Sequence, residues 1–205
     1  NAKSHRIRSI TDQFEPGSTF KPFAAIAGIS NEIMGTYDEF NCENGEYIYY
    51  DIPIRDHEKR GILSLPQIIS FSSNVGIVKM AEKIGSNNLY ATTRSFGFGS
   101  KTGIGLNGES KGKLNPTKNW SAVSLGQIAM GHEVAVTALQ LAMAYSAIAN
   151  GGYLLKPLLI KNIINQSNEI VYEEKSNIIR KISNESTMRD LREILRGVVA
   201  EGTGH

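Results

Sequence analysis

Two residues three positions apart, Ser18 and Lys21, are the strongest candidates for covalent chemistry in this sequence. Side chains three residues apart on a helix lie on one face, so the hydroxyl of Ser18 and the amine of Lys21 can meet. A serine hydroxyl becomes a good nucleophile when a neighbour takes its proton, and a lysine whose pKa is lowered by burial can act as that base. The pattern is also typical of a capping serine followed by a solvated lysine, so its surroundings decide.

The surroundings of Ser18 and Lys21 favour the chemical interpretation. Lys21 stands in an apolar run that extends to Ile29, where a merely solvated lysine is poorly explained. Pro22 has no N–H to donate and is tolerated only in the first turn of a helix, so it predicts a helix that begins at about Ser18. Ser18 would then lie at the positive end of the helix dipole, which favours negative charge on its oxygen.

A second polar group, Ser72-Ser73-Asn74, separates two predicted helices. On its own it is typical of a helix break with capping side chains. Beside the first motif, the hydroxyl of Ser72 can relay a proton and the amide of Asn74 can bind a substrate amide. The sequence therefore predicts one site built from Ser18, Lys21, Ser72 and Asn74.

The elements that would position this site follow from apolar periodicity, caps and turn residues. Besides the helix after Ser18, the sequence predicts a hairpin over 37–50, a charged loop over 51–60, and helices over 65–71, 75–84 and 86–96, with Ser64 and Ser86 as caps. A glycine-rich loop over 96–112, a helix over 137–150, strands over 153–164 and 169–174, and a last helix opened by a capping box at 187–190 follow. This order favours a mixed α/β (α+β) fold, an antiparallel sheet flanked by helices.

Composition excludes several other function classes. The formal net charge is +2, from 22 basic and 20 acidic residues that are scattered, so no nucleic-acid groove is expected. Cys42 is the single cysteine and is interpreted as a buried structural residue, and the four histidines have no metal-type spacing, so no metal or other cofactor is predicted. No apolar run approaches a membrane helix, but the chain opens at Asn1 without a methionine and is expected to be a piece of a longer protein.

Taken together, the motifs resemble a known family. A Ser-x-x-Lys motif followed by Ser-x-Asn resembles penicillin-binding proteins and serine β-lactamases. The wording is most similar to class B penicillin-binding proteins, and within them to the division-specific type, over residues 11–22 (TDQFEPGSTFKP), 72–76 (SSNVG), 96–99 (FGFG), 102–106 (TGIGL) and 136–141 (VTALQL). The resemblance implies that residues 1–205 are a partial peptidoglycan D,D-transpeptidase domain with the penicillin-binding/β-lactamase-like fold.

The resemblance also implies a role for each site residue. Ser18 would be the acylated nucleophile, with its backbone N–H in an oxyanion hole, and Lys21 its base. Ser72 would pass a proton to the leaving group, and Asn74 would hold the substrate peptide.

Partners and location are implied in the same way. The substrates would be peptidoglycan stem peptides ending in D-Ala-D-Ala, the inhibitors β-lactam antibiotics, and the further partners division or cell-wall synthesis proteins, with no nucleic acid. The domain would act on the outer, periplasmic face of the bacterial cytoplasmic membrane, behind an N-terminal anchor. Two alternatives stay open: a β-lactamase or D,D-carboxypeptidase that uses water as acceptor, and a non-catalytic β-lactam sensor or division scaffold.

Two local sequences depart from the family pattern. Lys101-Thr102-Gly103 has the letters of the third family motif, but it lies in the glycine-rich loop, whereas the family's Lys-Thr-Gly is on a strand that follows the Gly-Thr-Gly seen here at 202–204. We interpret Lys101 as coincidental, expect the true third motif beyond His205, and expect this piece alone to react weakly with penicillin. Where the family commonly has Gly-x-Gly, the chain has Gly131-His132-Glu133, and we interpret His132 as structural.

Overall fold

The computed structural model describes residues 6–204. Its helices are, in chain order, α1 Arg8–Thr11, α2 Lys21–Ser30, α3 Leu65–Ser70, α4 Asn74–Ile84, α5 Ser86–Ser95, α6 Ser124–Met130, α7 Ala138–Ala149 and α8 Glu185–Ala200. Its strands are β1 Glu39–Asn41, β2 Glu46–Tyr49, β3 Ile52–Arg55, β4 Ile62–Ser64, β5 Tyr153–Leu155, β6 Asn162–Ile164, β7 Ile170–Glu173 and β8 Ile178–Lys181. Short 3₁₀ turns lie at Gly17–Phe20, Glu43–Gly45 and Thr117–Asn119.

Helix α2 is the centre of the core. Its residues 21–28 are all buried, and α4, α5, α6 and α8 pack around it. A helix buried on every side is apolar all round, which explains why its sequence shows no polar face. Five aromatic rings with centroids 4.8–5.4 Å apart pack at its first turns: Phe20, Phe23, Phe96, Phe98 and Tyr145.

The strands form antiparallel pairs around this helical core. The pairs are β1 with β4, β2 with β3, β5 with β8, and β6 with β7, and each is a two-stranded sheet. The predicted mixed α/β class with antiparallel strands is confirmed. Among residues 6–204 no helix is both long enough and apolar enough to cross a bilayer.

The first hairpin lies later in the chain than predicted. The strands that pair are β2 and β3, so the hairpin covers 46–55, and the predicted hairpin over 37–50 and loop over 51–60 are wrong. Its two-residue turn is Tyr50-Asp51, and both residues have left-handed φ values of 47° and 64°. Such turns match the strand twist and are ordinarily signalled by Asn-Gly or Asp-Gly, so this pair of residues gives no local signal.

The helix ends after Ser64 agree with the predicted caps only in part. The side chain of Ser64 caps α3, as expected, and that of Thr137, which was predicted to be the first residue of α7, caps that helix. Gly85 ends α4 with a φ of 78°, and it also stands at the N-cap of α5, so Ser86 is the first residue of that helix and not its cap.

The start of the last helix and the strands before it differ from the prediction. Helix α8 begins at Glu185 because the side chain of Asn184 accepts from the N–H of Thr187, so the predicted capping box opened by Thr187 is wrong. The predicted strand over 153–164 is divided into β5 and β6, with Pro157 between them; a proline cannot donate to a strand ladder. Strand β8 and helix α6 were not predicted.

Candidate active site

A cavity of about 460 Å³ brings the two predicted motifs together. Ser18 lines one side of it, and Ser72 and Asn74 line another. The remaining lining residues come from the segment after β3, the end of α3 and the end of α8: Asp56, His57, Glu58, Arg60, Phe71, Ser73, Glu201, Gly202 and Thr203. Three of the four predicted site residues therefore face one space.

The fourth predicted residue, Lys21, lies at the junction of the two motifs. Its side chain is buried, with 1% exposure. Its ammonium donates to the carbonyl oxygen of Ser72 at 2.5 Å, to Oγ of Ser72 at 3.0 Å and to Oδ1 of Asn74 at 2.8 Å. All three hydrogen bonds of the ammonium go to residues of the second motif, so Lys21 links α2 to the turn before α4.

The environment of Lys21 prepares its amine to lose a proton near neutral pH. Burial lowers the pKa of Lys21 from the ordinary 10.5 to about 8, and the charge of Asp56 opposes this effect only in part. A buried ammonium is disfavoured because it has left water, while a nearby carboxylate favours it. The neutral amine is therefore populated within the range in which a general base is useful.

Ser18 is presented by a tight turn just ahead of α2. Residues Gly17–Phe20 form a 3₁₀ turn, and the N–H of Lys21 donates to the carbonyl of Ser18. In such a turn residues i and i+3 are aligned, so Ser18 and Lys21 share a side. The helical segment thus starts near Ser18, with Pro22 in the first turn of α2 as predicted. The three hydrogen bonds of the Lys21 ammonium go to Ser72 and Asn74, and Ser18 is exposed and lines the same cavity as those two residues.

The turn that carries Ser18 is held from behind by the segment after α6. The N–H of Gly17 donates to the carbonyl of Gly131 at 3.1 Å. Gly131 has a φ of 90°, and a Cβ atom there would lie 2.7 Å from the Gly17 nitrogen and closer still to its carbonyl oxygen. Glycine is required at this position because the two backbones touch.

A carboxylate beside the turn adds to this attachment. Glu15 accepts from the N–H of Glu133 at 3.0 Å and pairs with Nδ1 of His132 at 3.1 Å. The hydrogen bond to His132 lowers the pKa of Glu15. His132 does not line the cavity of Ser18, which supports its structural interpretation.

The second motif has a constrained backbone. Ser72 has a φ of 56°, a left-handed conformation that is uncommon for a residue other than glycine. Ser73 is the N-cap of α4, and its Oγ accepts from the N–H of Gly76 at 2.9 Å. Asn74 donates from Nδ2 to the carbonyl of Arg55 at 2.8 Å while its Oδ1 accepts from Lys21, so its amide is held at both ends.

Asp56 is the residue of this site that sequence reasoning missed. Its carboxylate accepts from Oγ of Ser73 at 2.6 Å, from the N–H of Val75 at 2.9 Å, and from the N–H of Asn74. It belongs to the segment that was predicted to be a charged loop. Its partners are 17 to 19 residues away and no periodic pattern links them, so the sequence carries no signal for this contact.

Comparison with known proteins decides the family. The sequence model described as the penicillin binding protein transpeptidase domain matches residues 1–205. The chain belongs to this family. This match, together with the relatives and the solved structure described next, confirms the class B resemblance inferred from the motifs and the penicillin-binding fold.

Individual relatives of this transpeptidase family agree. The chain is 35% identical over 193 residues to penicillin-binding protein PbpB of Mycolicibacterium smegmatis, which covers 93% of this chain and 30% of that protein. It is 34% identical over 161 residues to the peptidoglycan D,D-transpeptidase FtsI of Escherichia coli, covering 77% of this chain and 26% of that protein. The structure of Mycobacterium tuberculosis penicillin-binding protein 3 with ampicillin matches with a TM-score of 0.87 at 29% identity, covering 96% of this chain and 45% of that one.

The chain thus spans under a third of the length of these two curated relatives.

Lys101-Thr102-Gly103 has the letters of the third motif of this transpeptidase family, but not its position in the chain. They lie in an irregular loop in which both the N–H and the hydroxyl of Thr102 donate to Oε1 of Glu109. Lys101 is exposed and does not line the cavity of Ser18. The structure therefore agrees with the interpretation of Lys101 as coincidental.

The Gly202-Thr203-Gly204 segment, which served above only to locate the third family motif, contributes to the wall of the cavity. Gly202 and Thr203 line it, and the N–H of Thr203 donates to the carbonyl of Ser70 at 3.1 Å. A Cβ at Gly202 would overlap that same carbonyl. The end of α8 is thereby fixed against the end of α3.

Other reactive groups in residues 6–204 offer no competing site. No group of three or more His, Cys, Asp or Glu side chains in this range is placed to hold a metal ion. Cys42 is fully buried, as predicted, and burial raises the pKa of its thiol, so it is a poor nucleophile. The chemistry that this arrangement can perform is proton transfer by a buried amine between hydroxyl groups in one cavity.

Proposed function

We propose that the protein carrying this chain is a peptidoglycan D,D-transpeptidase that forms an acyl-enzyme on Ser18 and binds β-lactams at the same residue. The observation that carries the proposal is the Lys21 ammonium, which is buried and bonded to Ser72 and Asn74, two residues that line the same cavity as Ser18. Acyl transfer by serine requires a base that takes the proton of the hydroxyl, and a lysine whose pKa is lowered by burial is one such base. We further infer that residues 1–205 belong to one transpeptidase domain, supported by the match of the whole chain to one family.

The first half of the proposed reaction acylates Ser18. Neutral Lys21 retains two of its donated hydrogen bonds, and its lone pair accepts the proton of the Ser18 hydroxyl. Oγ of Ser18 attacks the carbonyl carbon of the penultimate D-alanine, and the oxyanion is stabilised by backbone donors that include the N–H of Ser18. The carbon–nitrogen bond breaks, and a proton passes from Lys21 through Oγ of Ser72, 3.0 Å away, to the amine of the departing D-alanine. Asn74 holds the peptide of the substrate.

The second half transfers the acyl group. An amine of another stem peptide attacks the Ser18 ester, gives up a proton by the same path, and releases Ser18 with a new peptide bond. In a β-lactam the broken amide lies in a ring, so the leaving nitrogen stays tethered and Ser18 remains acylated. Water is the acceptor in the alternative, a β-lactamase or D,D-carboxypeptidase.

The location of the reaction and its partners are part of the same proposal. Peptidoglycan lies outside the cytoplasmic membrane, so the domain would act on that face, in a protein anchored to the membrane. The similarity to FtsI of Escherichia coli, a peptidoglycan D,D-transpeptidase, supports the cell-wall substrate. Division and cell-wall synthesis proteins are proposed as partners on the sequence resemblance, and a non-catalytic sensor or scaffold is the alternative.

The test is made on the full-length protein with a synthetic stem pentapeptide ending in D-Ala-D-Ala and a labelled amine acceptor. We expect release of D-alanine together with incorporation of the label, and loss of both in Ser18→Ala. Ser30→Ala, at the other end of α2, is the matched control and keeps activity. Release of D-alanine without incorporation, or turnover of a labelled penicillin within seconds, would establish the hydrolase instead. Stable binding of penicillin without either reaction would establish the sensor.

A further inference from the structure

We propose that Asp56 is a positioning residue of the acyl-transfer site, whose carboxylate holds the Ser72–Asn74 turn in register with the Lys21 ammonium. The proposal rests on the function proposed above and adds to it a residue that belongs to neither sequence motif. Asp56 follows β3, at the end of the hairpin that the sequence did not predict. It is therefore contributed to the site by a part of the chain distinct from α2 and α4.

The turn before α4 needs an external constraint. Ser72 has left-handed backbone dihedrals, which a serine adopts only when its surroundings impose them. Lys21 supplies one constraint, because it donates to the carbonyl of Ser72. A second constraint is needed on the other side of the turn, where the first N–H groups of α4 have no partner within the helix.

Asp56 supplies this second constraint through three contacts. One carboxylate oxygen accepts from the N–H groups of Asn74 and Val75, and the other accepts from Oγ of Ser73 at 2.6 Å. A carboxylate is favoured at a helix N-terminus by both the free N–H groups and the helix dipole. Asp56 is itself fixed, because its own N–H donates to the carbonyl of Gly45 at 2.9 Å. Movement of this carboxylate would move the hydroxyl of Ser72 and the amide of Asn74 relative to Lys21.

The charge of Asp56 has a separate consequence for Lys21. The carboxylate is the charged group that raises the pKa of Lys21 against the effect of burial. The other charged or titratable side chains that line the cavity are His57, Glu58, Arg60 and Glu201, and Arg60 is paired with Glu58. Removing the charge of Asp56 therefore lowers the pKa of Lys21, and it does so even if the fold is unchanged.

Two variants separate position from charge. Asp56→Asn removes the charge and one acceptor, so it should lower the maximal rate of acylation and also shift the midpoint of its pH dependence to lower pH. Asp56→Glu keeps the charge but displaces the carboxylate, so it should lower the maximal rate without that downward shift. A misplaced catalytic group costs about 10- to 100-fold in rate, and this is the loss we expect in both variants.

The experiment measures the second-order rate of reaction with a fluorescent penicillin between pH 6 and 9.5, on the full-length protein. Asp51→Asn, on the turn of the same hairpin, is the matched control, because Asn tolerates left-handed dihedrals and Asp51 does not line the cavity. Circular dichroism shows whether each variant is folded. If Asp56→Asn does not fold, the Asp56→Glu profile decides.

The possible results distinguish this inference from the proposed function. A wild-type maximal rate in Asp56→Asn or Asp56→Glu, or a loss of rate in Asp56→Asn with no change of midpoint, would overturn the role of Asp56 while reaction at Ser18 stands. If the wild-type protein does not react, or Ser18→Ala reacts equally well, the proposed function itself fails. A lower maximal rate in both variants, with a shifted midpoint only in Asp56→Asn, supports the inference.

Discussion

The contact between Gly131 and Gly17 makes a sharp prediction about the turn that carries Ser18. Replacing Gly131 by alanine places a methyl group against the backbone of Gly17, one residue before Ser18. The added carbon would lie 2.7 Å from the Gly17 nitrogen and would overlap the Gly17 carbonyl oxygen, whereas ordinary contacts are 3.4 Å or longer, so the turn must retreat by more than the 0.7 Å that the nitrogen contact alone requires. Because the obstacle is backbone, no side-chain rotation can relieve it.

The cost has two parts. Left-handed dihedrals are unfavourable for alanine by about 1–2 kcal/mol, and overpacking of a rigid site costs about 1–3 kcal/mol, which predicts a loss of about 2–5 kcal/mol in the free energy of unfolding. In a domain of this size that corresponds to a melting temperature lower by roughly 5–20 °C. Acylation by penicillin should also fall, about 10- to 100-fold, because Ser18 is displaced.

Gly105→Ala is the matched control for this prediction. Gly105 has a similar φ of 81°, but an added Cβ there has no neighbour within 4 Å, so it isolates the backbone cost from the clash. We expect Gly105→Ala to melt only a few degrees below wild type and to keep its rate of acylation. Thermal unfolding and the acylation rate are measured for both variants. Equal melting temperatures and wild-type acylation in Gly131→Ala would refute the claim that this contact positions Ser18.

Three further predictions concern the lysines. Since the pKa of Lys21 is about 8 and the neutral amine is the active form, the rate of penicillin acylation should reach a plateau above about pH 8 and fall about tenfold per pH unit below it; a rate that is flat between pH 6 and 9 would contradict this. Lys21→Met removes the base and should lower the acylation rate about 100- to 10,000-fold, with circular dichroism as the check that the protein is folded. Lys101→Ala should change that rate by no more than about twofold, because surface changes away from a site have small effects; abolished acylation in a folded Lys101→Ala protein would restore this loop as the third motif.

The four candidate site residues could be singled out because their signals are local, and the structure brings them together, while their catalytic roles stay a prediction. Ser18 and Lys21 are three residues apart, and Pro22 fixes the start of their helix through its missing N–H. The turn at Ser72–Asn74 could be recognised because it separates two strongly apolar helices. In each case the residues that give the signal are the residues that form the structure.

The parts that could not be predicted depend on contacts between distant residues. Asp56 reaches Ser73 across 17 positions, and nothing near Asp56 in the sequence marks it as a cap of α4. The turn at Tyr50 has left-handed dihedrals imposed by strand pairing, not by residue type. Helix α6 was missed because Gly126 lowers helix propensity, yet the structure needs glycine there, since a Cβ would lie 2.8 Å from the ring of Tyr49.

The α8 boundary shows the same limit within a short segment. Thr187 was predicted as the cap because Asp190 follows it three residues later, as in a capping box. Thr187 is buried in the fold, and its N–H is taken by Asn184, so the helix starts three residues earlier than the capping box indicated. Thr187 therefore lies inside the helix, where it cannot act as the cap.

The most direct test of the central claim is to locate the covalent adduct on the full-length protein after reaction with penicillin. Mass spectrometry of the intact protein gives the number of adducts per chain, and fragmentation of its proteolytic peptides identifies the modified residue. The account predicts one adduct per chain, on Ser18, and none in Ser18→Ala. An adduct on any other residue, or equal modification of the Ser18→Ala protein, would contradict it.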